Sequence, residues 1–421
     1  SNSLIERLFH YAAVRPDHEA VVSSALTLSY AQLAQLVQLQ VEEFNSAGIS
    51  GHSVIGIKCG DDIQHLILCL AATYVGATSC TIPSYEAEET QSAVIAQCNV
   101  THVVDENTAV DPKSLNIELG SKLGEVATSQ ASLLFSTSGT TGKPKLVIHY
   151  DSDLVAQAHR HIQSEQERFA CLATMEHNFA KRHRLYCVAA GATNVILDAK
   201  PEALVAQTKS LNVNVLHVSA FQAQALLATP GSSELSDIRL KLGGSHVPAV
   251  LRQKLRDKIT KNLQAGYGTT ETGAIAFTNS GDLSAGESVG QALPGIEIRI
   301  VSPERESLGI DERGELAVRC DGMFRGYLGN SELSATRLEE RWFYTGDIAY
   351  LDQQQRIHLC GRSDDMFVFN SMNIYPQDIE SELCQYPHPR SLEGIELNAK
   401  YQGMRVGKQY VEAFQTIRAI K

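Results

Sequence analysis

Residues 136–145 read STSGTTGKPK, directly after an apolar strand signal at Ser132 to Phe135 and directly before a second one from Lys145 to His149. Glycines, hydroxyls and lysines crowded into so short a connection make a supple loop whose amides, hydroxyls and cations can wrap a polyphosphate. It is not a Walker loop: Gly139 to Gly142 spans too few positions, and Pro144 stands where a magnesium-binding hydroxyl belongs. No helix signal follows, so a phosphate cannot rest on a helix N-terminus there. Composition alone leaves open a polar, glycine-rich hairpin.

Upstream, Ser29 reads as the cap of a helix with Leu33, Leu36, Val37, Val41 and Phe44 at helical spacing, stopped by Gly48. An apolar helix is expected from His65, between strands at Val54 to Lys58 and Thr101 to Val104. Downstream follow a helix from Asp151, strands at Thr193 to Leu197 and Val213 to Ser219, and a strand ending at Gly243-Gly244. The alternation predicts an α/β fold of helix-flanked, mostly buried sheets over about residues 4–284. Behind Pro248, the stripe Leu251, Leu255, Ile259 and Leu263 predicts a helix whose Arg252, Lys254, Arg256, Lys258 and Lys261 face solvent. From about residue 285, short runs such as Ile296 to Val301, Glu315 to Arg319 and Arg356 to Leu359 predict a β-rich, barrel-like subdomain ending near residue 363. Residues 364–421, helix-like near Ile379, are too few for an independent core and read as a small, incomplete α+β domain.

The chain has 421 residues, 43% hydrophobic and 20% charged, enough for two or three domains. Its 36 Lys and Arg against 48 Asp and Glu leave a net charge of −12, which argues against bulk attraction to nucleic acid or a membrane surface. Any phosphate must therefore be met by a local site. The longest apolar run, Leu66 to Ala77, falls short of the ~20 residues of a membrane span, and with no signal peptide the expectation is a cytoplasmic protein. Nine scattered cysteines without a CxxC pattern read as reduced core thiols, not as disulfides or a zinc site. Ser1-Asn2-Ser3 reads as an expression scar.

STSGTTGKPK resembles the phosphate-binding loop of the adenylate-forming superfamily, which comprises acyl-CoA synthetases, nonribosomal peptide synthetase adenylation domains and luciferases. Further motifs follow in the order that likeness demands: Tyr267-Gly268-Thr269-Thr270-Glu271, Tyr344-Thr345-Gly346-Asp347 and Gly361-Arg362-Ser363-Asp364-Asp365. Val289 to Gly295, Gly314-Glu315-Leu316 and Gly326-Tyr327 also fit, so the likeness runs from about Leu26 to Glu380. It implies ATP bound by Ser136, Thr137, Ser138, Gly139, Thr140, Thr141, Gly142, Lys143, Gly244, Ser245, Tyr267, Gly268, Thr269, Thr270, Asp347 and Arg362. Thr140, Lys143, Thr270 and Glu271 are the implied catalytic residues, with Glu271 offering a hard oxygen to Mg²⁺. Asp347 can accept from two ribose hydroxyls, Arg362 presents a planar fork to oxygens, and Asp364 resembles the family's hinge. The implied reaction turns a small carboxylic acid into an acyl-adenylate with loss of pyrophosphate. The thiol of coenzyme A, or the phosphopantetheine of a carrier protein, then takes the acyl group.

His177, Asn178 and Phe179, with Gly243 and Gly268, are the implied substrate-binding residues. Asn178 stands where amino-acid-activating relatives carry the Asp that pairs with an α-ammonium, and an amide leaves that charge without a counter-ion. The pattern resembles aryl-acid-activating members. The run Lys181-Arg182-His183-Arg184 that follows is read as a wet helix face, or else as cations for a second anionic group or the nucleotide of coenzyme A. Asn370-Ser371 replace a glycine pair of many relatives, and neither Lys408 nor Lys421 sits in the late Gly-Lys context that supplies a catalytic lysine. A missing transition-state cation costs ~10² to 10³ in rate, so a chain of this extent is expected to adenylate poorly, as a partial chain of a longer protein would. Two alternatives stand beside the acid-thiol ligase: a module loading a carrier protein with an amino acid, and a non-catalytic nucleotide-binding relative. A hydrolase lacks its G-x-S-x-G.

Overall fold

A computed structural model describes residues 3–113, 130–137, 144–198, 203–282 and 286–364, with the backbone of 367–369 and 372–374. The central loop residues Ser138 to Lys143, the helix expected near Ile379, Asn370-Ser371, Lys408 and Lys421 lie outside the described residues.

Local signals set the elements. Ser29 caps the helix Tyr30–Ser46 in a reciprocal box with Gln32, and the chain leaves it through Gly48 at φ 77°. The helix expected from His65 starts earlier, as Asp62–Tyr74, because the Asp61 side chain accepts from the Gln64 amide. Ser132–Thr137 and Lys145–Tyr150 pair antiparallel across the glycine-rich stretch, Ser136 opposite Leu146 and Thr137 opposite Lys145.

Two sheets form the large α/β unit. In the nine-stranded sheet, Glu19–Val22, Thr193–Val195, Arg168–Cys171, Val215–Val218, Arg239–Leu242 and the first half of Leu263–Thr269 run parallel as neighbours. In the five-stranded sheet, His102–Asp105, Val54–Lys58, Thr78–Thr81 and Ser132–Thr137 run parallel, closed by the antiparallel Lys145–Tyr150. The expected β-rich region is an antiparallel sheet built on Glu297–Val301, Gly314–Arg319, Trp342–Leu351 and Ile357–Arg362, with its own buried cluster around Ile300, Leu316, Val318 and Ile357. Eight cysteines are free and buried, and Cys384 lies outside the described residues.

The helix Asn178–Ala190 has no face toward water. It packs on the helices Leu4–Val14, Asp62–Tyr74 and Asp151–His161 and on the strand Thr193–Val195, and every residue from Ala180 to Ala190 is buried. The wet-face reading of Lys181 to Arg184 is therefore overturned, since helices occupy the side where water was expected. Arg184 directs its guanidinium to the Val195 carbonyl oxygen at 2.9 Å and to the Asp62 carboxylate at 3.5 Å. Arg252 is corrected in the same way. It is 2% exposed on the helix Ala249–Lys258, and its guanidinium donates to the carbonyls of Val247, Gly286, Glu287 and Ser288. That helix ends before the predicted stripe does, and Leu263 opens a strand instead.

Replacing Arg184 by Met should strand the Asp62 carboxylate in the interior and lower unfolding stability by ~3–5 kcal/mol in urea titrations. A compensating Asp62→Asn in the same chain should restore part of the loss; an unchanged midpoint for Arg184→Met would show that the pair is not needed.

Candidate active site

The strand Leu263–Thr269 begins parallel beside Arg239–Leu242, then continues past it and turns antiparallel against Gly273–Phe277. Its outer half carries Tyr267, Gly268 and Thr269. A β-carbon at Gly268 would lie 2.5 Å from the Gly273 carbonyl oxygen, so only glycine lets these two segments close up. Cavities of about 240 Å³ and about 200 Å³ share this wall, both touching Gly244, Gly266, Tyr267 and Gly268. Ser245 borders the smaller one, with His246 and Arg252.

Three of the expected nucleotide residues meet, although they come from different strands. The Tyr267 hydroxyl donates to Asp347, whose second carboxylate oxygen accepts from Arg362 at 3.0 Å. Asp347 and Arg362 are register partners of two antiparallel strands. Burial, then the Asp347 charge, push the Tyr267 hydroxyl well above the usual phenol range, so it keeps its proton to donate. Asp364 follows, its carboxylate 3.9 Å from Arg362.

Glu271 sits in the turn before Gly273–Phe277, where its carboxylate accepts from the Tyr327 hydroxyl at 2.8 Å and its carbonyl oxygen accepts from the Phe324 amide at 2.8 Å. The preceding backbone is gripped from below. Arg182 donates to the carbonyls of Thr269 and Thr270, and His149 Nε2 donates to the Thr270 carbonyl at 2.7 Å. The Thr270 and Thr269 positions thus rest on a buried guanidinium. At the loop's entrance, the Asn178 side-chain amide donates to the Ser136 carbonyl oxygen, tying the buried helix to the strand that feeds residues 138–143.

Asn178, Phe179, Gly243 and Gly268 all line the larger cavity, along with Arg182, His217 and Phe277. His177 does not: it is exposed and stacks on Tyr85 with ring centroids 5.3 Å apart. Sequence reasoning missed Tyr327 and His217, and named Arg182 only within the basic run Lys181 to Arg184. Gly326-Tyr327 matches the family without a role, and the basic run Lys181 to Arg184, leading straight into the apolar stretch Leu185 to Ala190, was the available signal for Arg182.

Along one wall of the larger cavity runs a chain of neutral imidazoles, His161 and His183, whose protons the geometry assigns. The Ala274 amide donates to His161 Nε2 at 3.0 Å, so His161 must donate from Nδ1 to His183 Nε2 at 3.1 Å, and His183 from its own Nδ1 to the Phe179 carbonyl at 2.8 Å. Burial pushes His183 down to about 3, and the same cause puts His65 and His149 at about 3. Lys241, donating to the His161 carbonyl at 2.7 Å, is drawn down by burial to about 8.

Depressed histidines make the native state take fewer protons than the unfolded chain, so stability is complete above the ordinary value of 6.5 and is lost as pH falls toward about 3. Denaturant midpoints should decline across that window, and His65→Gln, away from the cavities, should make the decline shallower. A midpoint independent of pH there would contradict the buried neutral assignment.

Comparison with known proteins follows the same lines. The profile of a family described as AMP-binding enzyme matches residues 8–328. The chain is 26% identical over 414 residues to a feruloyl-CoA synthase of an Amycolatopsis species, covering 89% of this chain and 82% of that protein. It is 24% identical over 413 residues to 4-coumarate–CoA ligase 1 of Petroselinum crispum, covering 86% of this chain and 75% of that one. The crystal structure of an anthranilate CoA ligase in complex with anthranoyl-AMP superposes with a TM-score of 0.81 at 19% identity, covering 91% of this chain and 82% of that one. Ordered motifs, fold and profile agree, and the chain belongs to the AMP-binding enzyme family, the adenylate-forming superfamily.

Proposed function

We propose that this protein is an ATP-dependent acid–thiol ligase: it converts a carboxylic acid without an α-amine, best an aromatic one, to its acyl-adenylate and then to a thioester of coenzyme A. The observation that carries this reading is the shared wall Tyr267-Gly268. On it the Tyr267–Asp347–Arg362 cluster meets an apolar cavity closed at one side by Asn178, which holds the loop entrance.

The residues fit their expected ligands. Asp347 keeps acceptor capacity for ribose hydroxyls while Tyr267 and Arg362 hold its carboxylate in place. Glu271 is a single hard-oxygen ligand held by Tyr327, which suits a Mg²⁺ that arrives with the phosphates and takes most of its ligands from them and from water. Among the described residues no group of three or more His, Cys, Asp and Glu side chains could hold a metal by itself. Bound Mg²⁺ would supply charge neutralisation at the triphosphate. In the first step a carboxylate oxygen of the acid forms a bond to the α-phosphorus, and the bond to the bridging oxygen breaks as pyrophosphate leaves with the electron pair. In the second, the thiol of coenzyme A gives up its proton as its sulfur attacks the acyl carbon, and AMP departs.

Selection of the acid follows from the lining. No carboxylate is present among the described residues of the cavity, so an α-ammonium would be buried unpaired beside Arg182. The Asn178 amide is committed to the Ser136 carbonyl. A volume of about 240 Å³ is below the ~300 Å³ at which drug-sized ligand sites begin, which suits an acid with one ring. The curated relatives named above support coenzyme A over a carrier protein as acceptor, and a cytoplasmic setting suits both co-substrates. No helix among the described residues is long and apolar enough to cross a membrane. We read Asp364 as the hinge and residues 364–421 as the part of a small C-terminal domain.

Pyrophosphate release with ATP, Mg²⁺ and a panel of aryl, alkyl and amino acids tests the reading. Glu271→Gln should lower kcat by about 10² to 10³ and raise the Mg²⁺ needed, whereas Asp347→Asn should act chiefly on the KM for ATP, raising it about 10-fold or more. Release with amino acids but no other class would overturn the substrate assignment.

A further inference from the structure

Two thiols lie under the hairpin that carries the glycine-rich stretch, and the reaction above uses neither. Cys80, on the strand Thr78–Thr81, and Cys98, the last residue of the helix Glu88–Cys98, are each 2% exposed and share a small cluster with Leu134 and Leu146. Leu134 belongs to the strand that enters residues 138–143, Leu146 to the strand that leaves them. The two side chains are hydrogen-bonded, the Cys80 thiol donating to the Cys98 sulfur. That donation holds Cys98 below the ordinary thiol value against the opposing effect of burial, and the Lys181 ammonium adds to it. Lys181 is 1% exposed, donates to the Thr81 hydroxyl at 3.2 Å and lies over the Phe135 ring, with no carboxylate partner among the described residues. An ammonium so placed favours a thiolate beside it. Burial instead raises Cys59, Cys69, Cys171, Cys187 and Cys320.

We propose that Cys80 and Cys98 close a reversible disulfide when hydrogen peroxide is present, and that closing it loosens the hold on ATP; the second part rests on the acid-activating reading above. The Cys98 thiolate attacks one peroxide oxygen, the O–O bond breaks, and the leaving oxygen takes up a proton and departs as water, which leaves a sulfenic acid. The Cys80 sulfur, giving up its proton, then attacks the Cys98 sulfur. An S–S bond forms, the S–O bond breaks, and a second water departs. Peroxide accepts the two electrons that the thiols lose. Access comes through the helix, which buries only Gln91 and Cys98 among its 11 residues and so opens locally at small cost.

The effect reaches the nucleotide loop through one side chain. Gln97, next to Cys98, donates its amide to the Pro144 carbonyl at 2.8 Å, where the chain leaves residues 138–143. An S–S bond is shorter than a hydrogen bond between thiols, so closing it draws the end of the helix toward the strand and takes Gln97 off Pro144.

The experiment exposes the reduced, intact protein to hydrogen peroxide, alkylates the free thiols and maps the cysteines by mass spectrometry. A glutamate-specific protease separates the two, cutting at Glu86, Glu88 and Glu89 between them. ATP affinity is followed alongside by titration calorimetry. Peptides holding Cys80 and Cys98 should appear joined, and the Kd for ATP should rise about 3- to 10-fold and return with dithiothreitol. Cys98→Ser should abolish both the joined peptides and the change in Kd. Gln97→Ala should keep the crosslink while flattening the change in Kd, and it reads the coupling if Cys98→Ser does not fold. Thiols that stay free under peroxide, Cys98 found as a sulfinic acid beside free Cys80, or a disulfide made with another cysteine overturns the pair. A crosslink that leaves Kd unchanged overturns its link to the loop. Failure of the reduced protein to bind ATP overturns the acid-activating reading, and the crosslink then decides the pair by itself.

Discussion

Charge buried along the helix Asn178–Ala190 must find acceptors inside the protein, and where it finds them decides where the site stands. Arg184 reaches the Asp62 carboxylate and the Val195 carbonyl, Lys181 reaches the Thr81 hydroxyl and lies over the Phe135 ring, and Arg182 reaches the carbonyls of Thr269 and Thr270. An unpaired cation in such a place would be strongly destabilising. These bonds therefore hold the interior together and, through Arg182, fix the backbone that carries Glu271. Packing and site geometry are here the same set of contacts.

The strand Leu263–Thr269 turns that constraint into a divided site. Its inner half is an ordinary buried member of a parallel sheet, and its outer half separates two cavities. Parallel strands end at a common edge where loops can gather, which brings Gly243-Gly244-Ser245, Tyr267 and His217 together from three neighbours in the sheet. Asp347 and Arg362 come to the same place from the antiparallel sheet, so the cluster on Tyr267 also fastens the β-rich region to the larger unit.

Much of the fold was legible because its signals are local. Ser29 with Gln32, and the apolar runs on either side of the glycine-rich loop, act within a few residues and formed where the spacing placed them. Arg252 and the run from Lys181 to Arg184 were misread as solvated faces for a physical reason: periodicity marks an apolar stripe but is silent about what covers the opposite side. His177 and Asn178 show the same limit over one residue. A single step at the helix N-terminus turns His177 outward to Tyr85 and Asn178 inward to the Ser136 carbonyl.

By itself the sequence determined the family and much of the order of helices and strands, and it named Glu271, Asp347 and Arg362 as candidates, because ordered motifs and short-range spacing are properties of the chain. Only the tertiary structure decided that Arg182 supports the backbone before Glu271, that Tyr327 holds the Glu271 carboxylate, and that His217 is buried in a cavity wall without a partner. Hydrogen bonds and desolvation depend on which atoms packing brings within about 3 Å of one another, and residues 145 positions apart in the chain, as Arg182 and Tyr327 are, carry no local trace of that meeting around Glu271.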